Sequence, residues 1–275
     1  MLPPGGRQPT SISMKLTPPK FRELKGTRKI VMLTAYDFPS AAILDGCGVD
    51  VILVGDSLGN VVQGRTTTLS VTLEQMIYHA EMVVRAVSDT LVVVDLPFPF
   101  CQLGPKAATK AAARILKETQ ADAVKIEGGA DRASTIAAVV AAGIPVVGHC
   151  GLLPQAVRKL GRFVVQRQRE QILADVAAVE AAGAFGVVLE CITADIADEA
   201  TRLANIPTIG IGAGSHCDGQ VLVFHDLLGF SADRAKTPRH VKRYADLRQT
   251  IEGAAKQYAD EVRNGIFPGK ESSFR

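Results

Sequence analysis

The chain has 275 residues, of which 47% are apolar but only 5% aromatic; it holds no tryptophan and carries a formal charge of +3. An interior of Ala, Val, Ile and Leu suits helices packed on a parallel sheet, while basic residues scattered among 28 acids exclude the stripe that would track a nucleic-acid backbone. Five widely spaced cysteines without a Cys-x-x-Cys pair exclude a disulfide framework and a thiolate zinc site, and no apolar run reaches the roughly 18 residues of a membrane span.

From Met1 to Lys29 the chain is basic and proline-rich, with Glu23 its single acid. It lacks the apolar core of a secretory signal, and its prolines spoil the amphipathic helix of an organellar presequence, which leaves the cytoplasm as the expected address. Residues 1–13 are expected to be a disordered extension, and residues 14–275 a single catalytic domain.

Beyond Lys29, short apolar runs alternate with helical patterns. Strands are expected at Ile30 to Ala35, Val51 to Val54, Leu91 to Val94, Ala123 to Ile126, Pro145 to Gly148, Gly186 to Leu189, Pro207 to Ile211 and Val221 to Phe224; their β-branched character marks strands buried on both faces. Between the second and third, Leu73, Met76, Ile77, Ala80, Val83, Val84 and Val87 share one helical face, and Thr72 with Gln75 forms a capping box. Further helices are expected at Lys106 to Thr119, Ala133 to Ala142, Gln171 to Ala182 and Ala194 to Ala204, with a last long one carrying Val241, Tyr244, Leu247, Ile251, Tyr258 and Val262 to a stop at Gly265.

Eight strands alternating with helices, without an internal break in composition, predict an α/β fold closed into one (β/α)8 TIM barrel rather than an open doubly wound sheet. Functional groups of a barrel gather at the carboxyl ends of its strands. Asp56, Asp95, Lys125, Glu127, His149 and Glu190 all fall there. Strand alternation puts Lys125 and Glu127 on one face and Val124 and Ile126 on the other, and pairs Glu190 with Val188. A lysine and several carboxylates converging in a barrel mouth are costly without a cation. Carboxylates unaccompanied by thiolates or a histidine triad point to Mg²⁺ or Mn²⁺, completed by water and substrate oxygens.

Several phrases carry a family resemblance: Met32-Leu-Thr-Ala-Tyr-Asp37, Val54-Gly-Asp-Ser-Leu-Gly59, Val94-Asp-Leu-Pro-Phe98, Val124-Lys-Ile-Glu-Gly128, Gly148-His-Cys-Gly-Leu-Leu-Pro-Gln155 and Ile206-Pro-Thr-Ile-Gly-Ile-Gly-Ala-Gly214 with Cys217-Asp-Gly-Gln220. In this order, from Lys15 to Arg275, the chain resembles the ketopantoate hydroxymethyltransferases. The resemblance implies a barrel enzyme of pantothenate synthesis that moves a one-carbon unit from methylene-tetrahydrofolate, its co-substrate, onto 2-oxoisovalerate to give 2-dehydropantoate. It also implies Mg²⁺ as cofactor and a large homo-oligomer, a decamer, as assembly.

Position by position, the resemblance implies that Asp56 and Asp95 bind the metal with Glu127 as the third carboxylate. Ser57 with Asp56 would hold the oxo acid, Lys125 its carboxylate end, and Glu190 would accept the proton; His149 is expected to donate to an oxygen at the site. Two stretches depart from the family's pattern: the run between Gly161 and Ile172 is shorter and poorer in glycine, and Ile192-Thr193 replaces Val-Pro after Glu190-Cys191. Both should lie near Glu190, on the folate side. The rival readings are a Mg-dependent carbon–carbon lyase acting on another 2-oxo acid, which should show additional rim cations, and a catalytically silent scaffold, which should have lost rim carboxylates.

Overall fold

A computed structural model describes residues 15–160, 164–230 and 238–274; the expectations for residues 1–13, and part of the run after Gly161, lie outside them. By its internal contacts the chain divides into a unit ending at Val221 and a second from Leu222 to Arg275. The first holds the barrel except for Leu222, the last residue of its eighth strand.

Its strands are β1 (Ile30–Thr34), β2 (Val51–Val54), β3 (Leu91–Asp95), β4 (Ala123–Glu127), β5 (Val146–Gly151), β6 (Gly186–Glu190), β7 (Thr208–Ile211) and β8 (Gly219–Leu222). They run in sequence order around a closed barrel, with parallel pairing from β1 through to β8. Closure is made where Ile30 N donates to Asp218 O at 2.9 Å. The expected alternation of strands and helices is present from β1 to β7, while β8 follows β7 with no helix between them; the helix Leu73–Ala86 starts with the anticipated capping box of Thr72 and Gln75.

Two expectations shift. The eighth strand begins two residues earlier than its apolar run, because Gly219 lies so close to β1 that a Cβ there would stand 2.5 Å from Ile30 O; Val223 instead caps a short helix, Phe224–Leu227. The last long helix spans Leu247–Arg263. Val241 and Tyr244 precede it, because the Asp246 side chain accepts from Gln249 N and sets the start. Among the described residues, no helix is long and apolar enough to cross a membrane.

Inside the barrel, inward-facing residues of successive strands stack into one apolar cluster: Val51 and Leu53, Leu91 and Val93, Ala123, Val147, Val188 and Ile209. Phe21, on the helix Pro18–Glu23, joins this cluster from the amino-terminal side and meets Phe185 edge to face at 5.3 Å. Gly186 makes room for it, since a Cβ there would come within 2.8 Å of the Phe21 ring. With the ring 2% exposed, Phe21→Ala should cost about 3–5 kcal/mol, the usual toll of emptying a buried aromatic position. Denaturant unfolding measures this, and a loss under about 1 kcal/mol would show that the barrel floor closes without the ring.

Candidate active site

The same alternation that fills the barrel with apolar side chains delivers polar ones one or two steps further along each strand. Asp95 follows Val93, Lys125 and Glu127 follow Ala123, His149 follows Val147, and Glu190 follows Val188, all on the inward phase. Register sets them side by side: Asp95 pairs with Lys125, Glu127 with His149, and Gly151 with Glu190. Asp56 comes from the turn after β2, where its backbone N donates to Asp95 Oδ2 at 3.0 Å. Gly55 permits this turn, because a Cβ there would sit 2.8 Å from Ser57 Oγ.

All six sequence-predicted rim residues therefore converge, together with Ser57, whose hydroxyl is 2.9 Å from Tyr36 OH. Lys125 Nζ lies 3.0 Å from Asp95 Oδ1 and 3.1 Å from His149 Nδ1. An ammonium can only donate, so His149 Nδ1 accepts and the imidazole proton is assigned to Nε2. That nitrogen stands 3.1 Å from Glu190 Oε2 but off hydrogen-bond alignment. Glu127 completes the group, 3.8 Å from His149 Nδ1.

Burial governs the electrostatics. Asp56, Asp95, Lys125, Glu127 and His149 are all 5% exposed or less, so their charges cannot be screened by water and must answer one another. Burial first, and then the Asp95 carboxylate, push Asp56 up to about 7, against the smaller pull of Lys125. Glu127 is raised well above the usual carboxylate range by the same burial and by Asp56. Lys125 loses stability as a cation through burial, yet the carboxylates of Asp95, Glu127 and Asp56 outweigh this and raise its pKa. Burial, reinforced by Lys125, lowers His149 and holds it neutral near pH 7. The Glu190 side chain, 19% exposed, is the one acid of the group open to a ligand.

The site thus holds four carboxyl groups, those of Asp56, Asp95, Glu127 and Glu190, against one permanent cation, and Asp95 Oδ1 has the Lys125 ammonium 3.0 Å away but no aligned hydrogen bond. This donor set fits a hard divalent ion that takes one or two carboxylates and keeps water or ligand oxygens for the rest. Among the described residues, no three His, Cys, Asp or Glu side chains form a ready coordination shell.

Two residues at the centre of the site had no functional reading in the sequence. Tyr36 is buried beside Ser57. Gln155, on the turn Pro154–Ala156 after β5, donates from Nε2 to Asp56 Oδ2 at 2.9 Å and to Leu96 O at 3.1 Å, and from its backbone N to Glu127 Oε2 at 3.0 Å. Both stood inside quoted motifs, but a phenol or amide in a loop carries no periodic signal. The two departures singled out in the sequence meet here: Gln166 N donates to Cys191 O at 2.7 Å and Gln166 bridges Ile192, immediately after Glu190. Residues 161–163 of the first departure lie outside the described set.

A sequence model described as ketopantoate hydroxymethyltransferase matches residues 15–270. The chain is 54% identical over 246 residues to a 3-methyl-2-oxobutanoate hydroxymethyltransferase of Rhodopirellula baltica, covering 90% of this chain and 91% of that one. It is 51% identical over 264 residues to the protein of the same name from Trichlorobacter lovleyi, covering 94% and 98%. Among solved structures, phosphonopyruvate hydrolase in complex with oxalate and Mg²⁺ superimposes with a TM-score of 0.60 at 12% identity, over 94% of this chain and 93% of that one; this likeness concerns the fold.

Proposed function

Because the chain belongs to the ketopantoate hydroxymethyltransferase family, we infer that the carboxylate-lined mouth of its barrel is where 3-methyl-2-oxobutanoate (2-oxoisovalerate) receives its one-carbon unit. The protein is a hydroxymethyltransferase of pantothenate synthesis that forms 2-dehydropantoate. The observation that carries the placement is the convergence of Asp56, Asp95, Lys125, Glu127, His149 and Glu190, from five strand ends, into one cluster of acidic groups around a single lysine.

Asp56 and Asp95 would hold Mg²⁺, with Glu127 as the third carboxylate and Mn²⁺ as a substitute. Bound there, the ion supplies a Lewis acid for the 2-oxo acid and offsets the negative charge of the enolate. Lys125, already paired with Asp95, binds the substrate carboxylate and fixes which end of the oxo acid faces inward. Ser57, steadied by Tyr36, donates to a substrate oxygen. Glu190 is the general base that removes the C3 proton, since it is the acid least enclosed and remains beside His149. His149, neutral and carrying its proton on Nε2, can donate to Glu190 and hold that carboxylate in place, or donate to an oxygen of the substrate. The enolate then attacks the methylene carbon of methylene-tetrahydrofolate; over the reaction both carbon–nitrogen bonds that hold this carbon break, one replaced by the new carbon–carbon bond and the other by the hydroxyl oxygen of water, and the two freed folate nitrogens take up the C3 proton and one proton of that water. No covalent bond to the enzyme is needed. The contact of Gln166 with the backbone at Cys191 and Ile192 supports placing the folate on this side of Glu190. The homo-oligomer implied by the resemblance belongs to the same reading.

Purified full-length protein supplied with 2-oxoisovalerate, methylene-tetrahydrofolate and Mg²⁺ should form 2-dehydropantoate, and omission of any of the three should stop it. Turnover that persists unchanged after thorough chelation would remove the metal from this reading; absence of product with all three present would remove the reading itself.

A further inference from the structure

Gln155 donates hydrogen bonds to two of the buried carboxylates without carrying a charge. Its side chain reaches Asp56, 99 residues away in sequence, and its own backbone N–H reaches Glu127. Both amide hydrogens are engaged, one by the Asp56 carboxylate and one by the Leu96 carbonyl, while Oε1 lies 3.3 Å from Gln102 Nε2 as acceptor. Asp56 Oδ2, when ionised, and Leu96 O can only accept, so this orientation of the amide is the one its surroundings permit. The residue is buried, and its turn is anchored to β6, where Leu152 N donates to Glu190 O at 2.8 Å and Gly151, at φ +98, leaves no room for a Cβ against that same carbonyl. Gln155 is thus a fixed neutral donor between two buried acids.

We propose that Gln155 is a positioning residue of the cation site. Its amide and its backbone N–H each hold one oxygen of a carboxylate, orienting Asp56 and Glu127 before metal and oxo acid arrive. Neutrality is what the position requires. A lysine or arginine here would cancel the surplus charge that attracts the cation, whereas an apolar side chain would leave Asp56 Oδ2 buried without a donor. Partners of this kind, one step removed from a metal, are worth about 10–100-fold in metal affinity or activity. The proposal rests on the reading of Asp56 as a metal ligand, and the experiment separates the two.

Gln155→Met keeps the volume and the backbone bond to Glu127 but removes the amide; Gln155→Asn keeps an amide too short to span the same partners. In the full-length protein, Mn²⁺ binding is titrated by the electron paramagnetic resonance signal of the free ion, with Asp56→Asn in parallel. The expected result is a 10–100-fold weaker Mn²⁺ dissociation constant in both Gln155 variants, with most of kcat recovered at saturating Mg²⁺ and a raised half-saturating Mg²⁺ concentration. If Asp56→Asn loses Mn²⁺ while both Gln155 variants bind it as tightly as the parent, Gln155 is a loop staple and the proposal falls alone. If Asp56→Asn itself binds Mn²⁺ normally, the ligand assignment fails and takes the proposal with it. Should Gln155→Met not fold, the Gln155→Asn titration decides the matter by the same criterion.

Discussion

Glu190→Gln should nearly abolish exchange of the C3 hydrogen of 2-oxoisovalerate with deuterated water while leaving binding of the oxo acid intact. Glutamine keeps the shape of the side chain and can still meet His149, 3.1 Å away, but it cannot take up a proton. The expected loss is on the order of a hundredfold to ten-thousandfold, the usual worth of a positioned base. The exchange needs no folate, so it isolates proton removal from carbon–carbon bond formation. Normal exchange with failure only once methylene-tetrahydrofolate is added would move Glu190 from base to folate activation, and the base would then have to be sought elsewhere on the rim.

Asp56→Asn and Asp95→Asn should each abolish turnover and Mg²⁺ binding, yet their effects on the metal-free fold should differ. Asp95 is the nearest counter-charge of buried Lys125, so its loss leaves a cation poorly compensated in the interior, a change that usually destabilises by several kcal/mol. Asp56 is held at about 7 chiefly by burial and by repulsion from Asp95. A carboxyl group whose folded pKa is raised adds stability below its unfolded value, and that contribution is lost as pH climbs through the folded value. At pH 8 the metal-free parent therefore carries an ionised Asp56 at a cost that asparagine avoids, and Asp56→Asn should melt no lower than the parent. Calorimetry with and without Mg²⁺ tests the pair. Near-normal turnover of either variant at limiting Mg²⁺ would overturn its assignment as a ligand.

Much of this site was legible in the sequence because a parallel barrel writes its architecture plainly. Strands buried on both faces appear as β-branched runs, and the polar residue that ends such a run has few places to go but the rim. Alternation then decided that Lys125 and Glu127 point inward, as the interior position of Ala123 bears out. What stayed hidden depends on contacts between distant loops. Gln155 reads as an ordinary turn residue until the fold brings Asp56 to it, and Tyr36 as a buried aromatic until Ser57 is beside it. The eighth strand was misplaced because its first residues, Gly219 and Gln220, pair by backbone and by lack of bulk, neither of which is a hydrophobic signal. Val241 and Tyr244 kept helical spacing but lost the helix to the capping carboxylate of Asp246.

The seating of Phe21 beneath the barrel bears on the order in which the chain can fold. Phe21 belongs to the first helix, but its partner Phe185 immediately precedes β6, and nearby Lys25 is joined to Asp218, 193 residues later, at 2.7 Å. Contacts of such long range must wait for most of the polypeptide to collapse, and they make the topology slow to close. During synthesis the amino-terminal segment emerges first and yet docks among the last, with an apolar ring exposed in the interval. The same plug is then a late-forming lock: mutations in it should speed unfolding far more than they slow folding, placing the kinetic persistence of the finished barrel at the end opposite its chemistry.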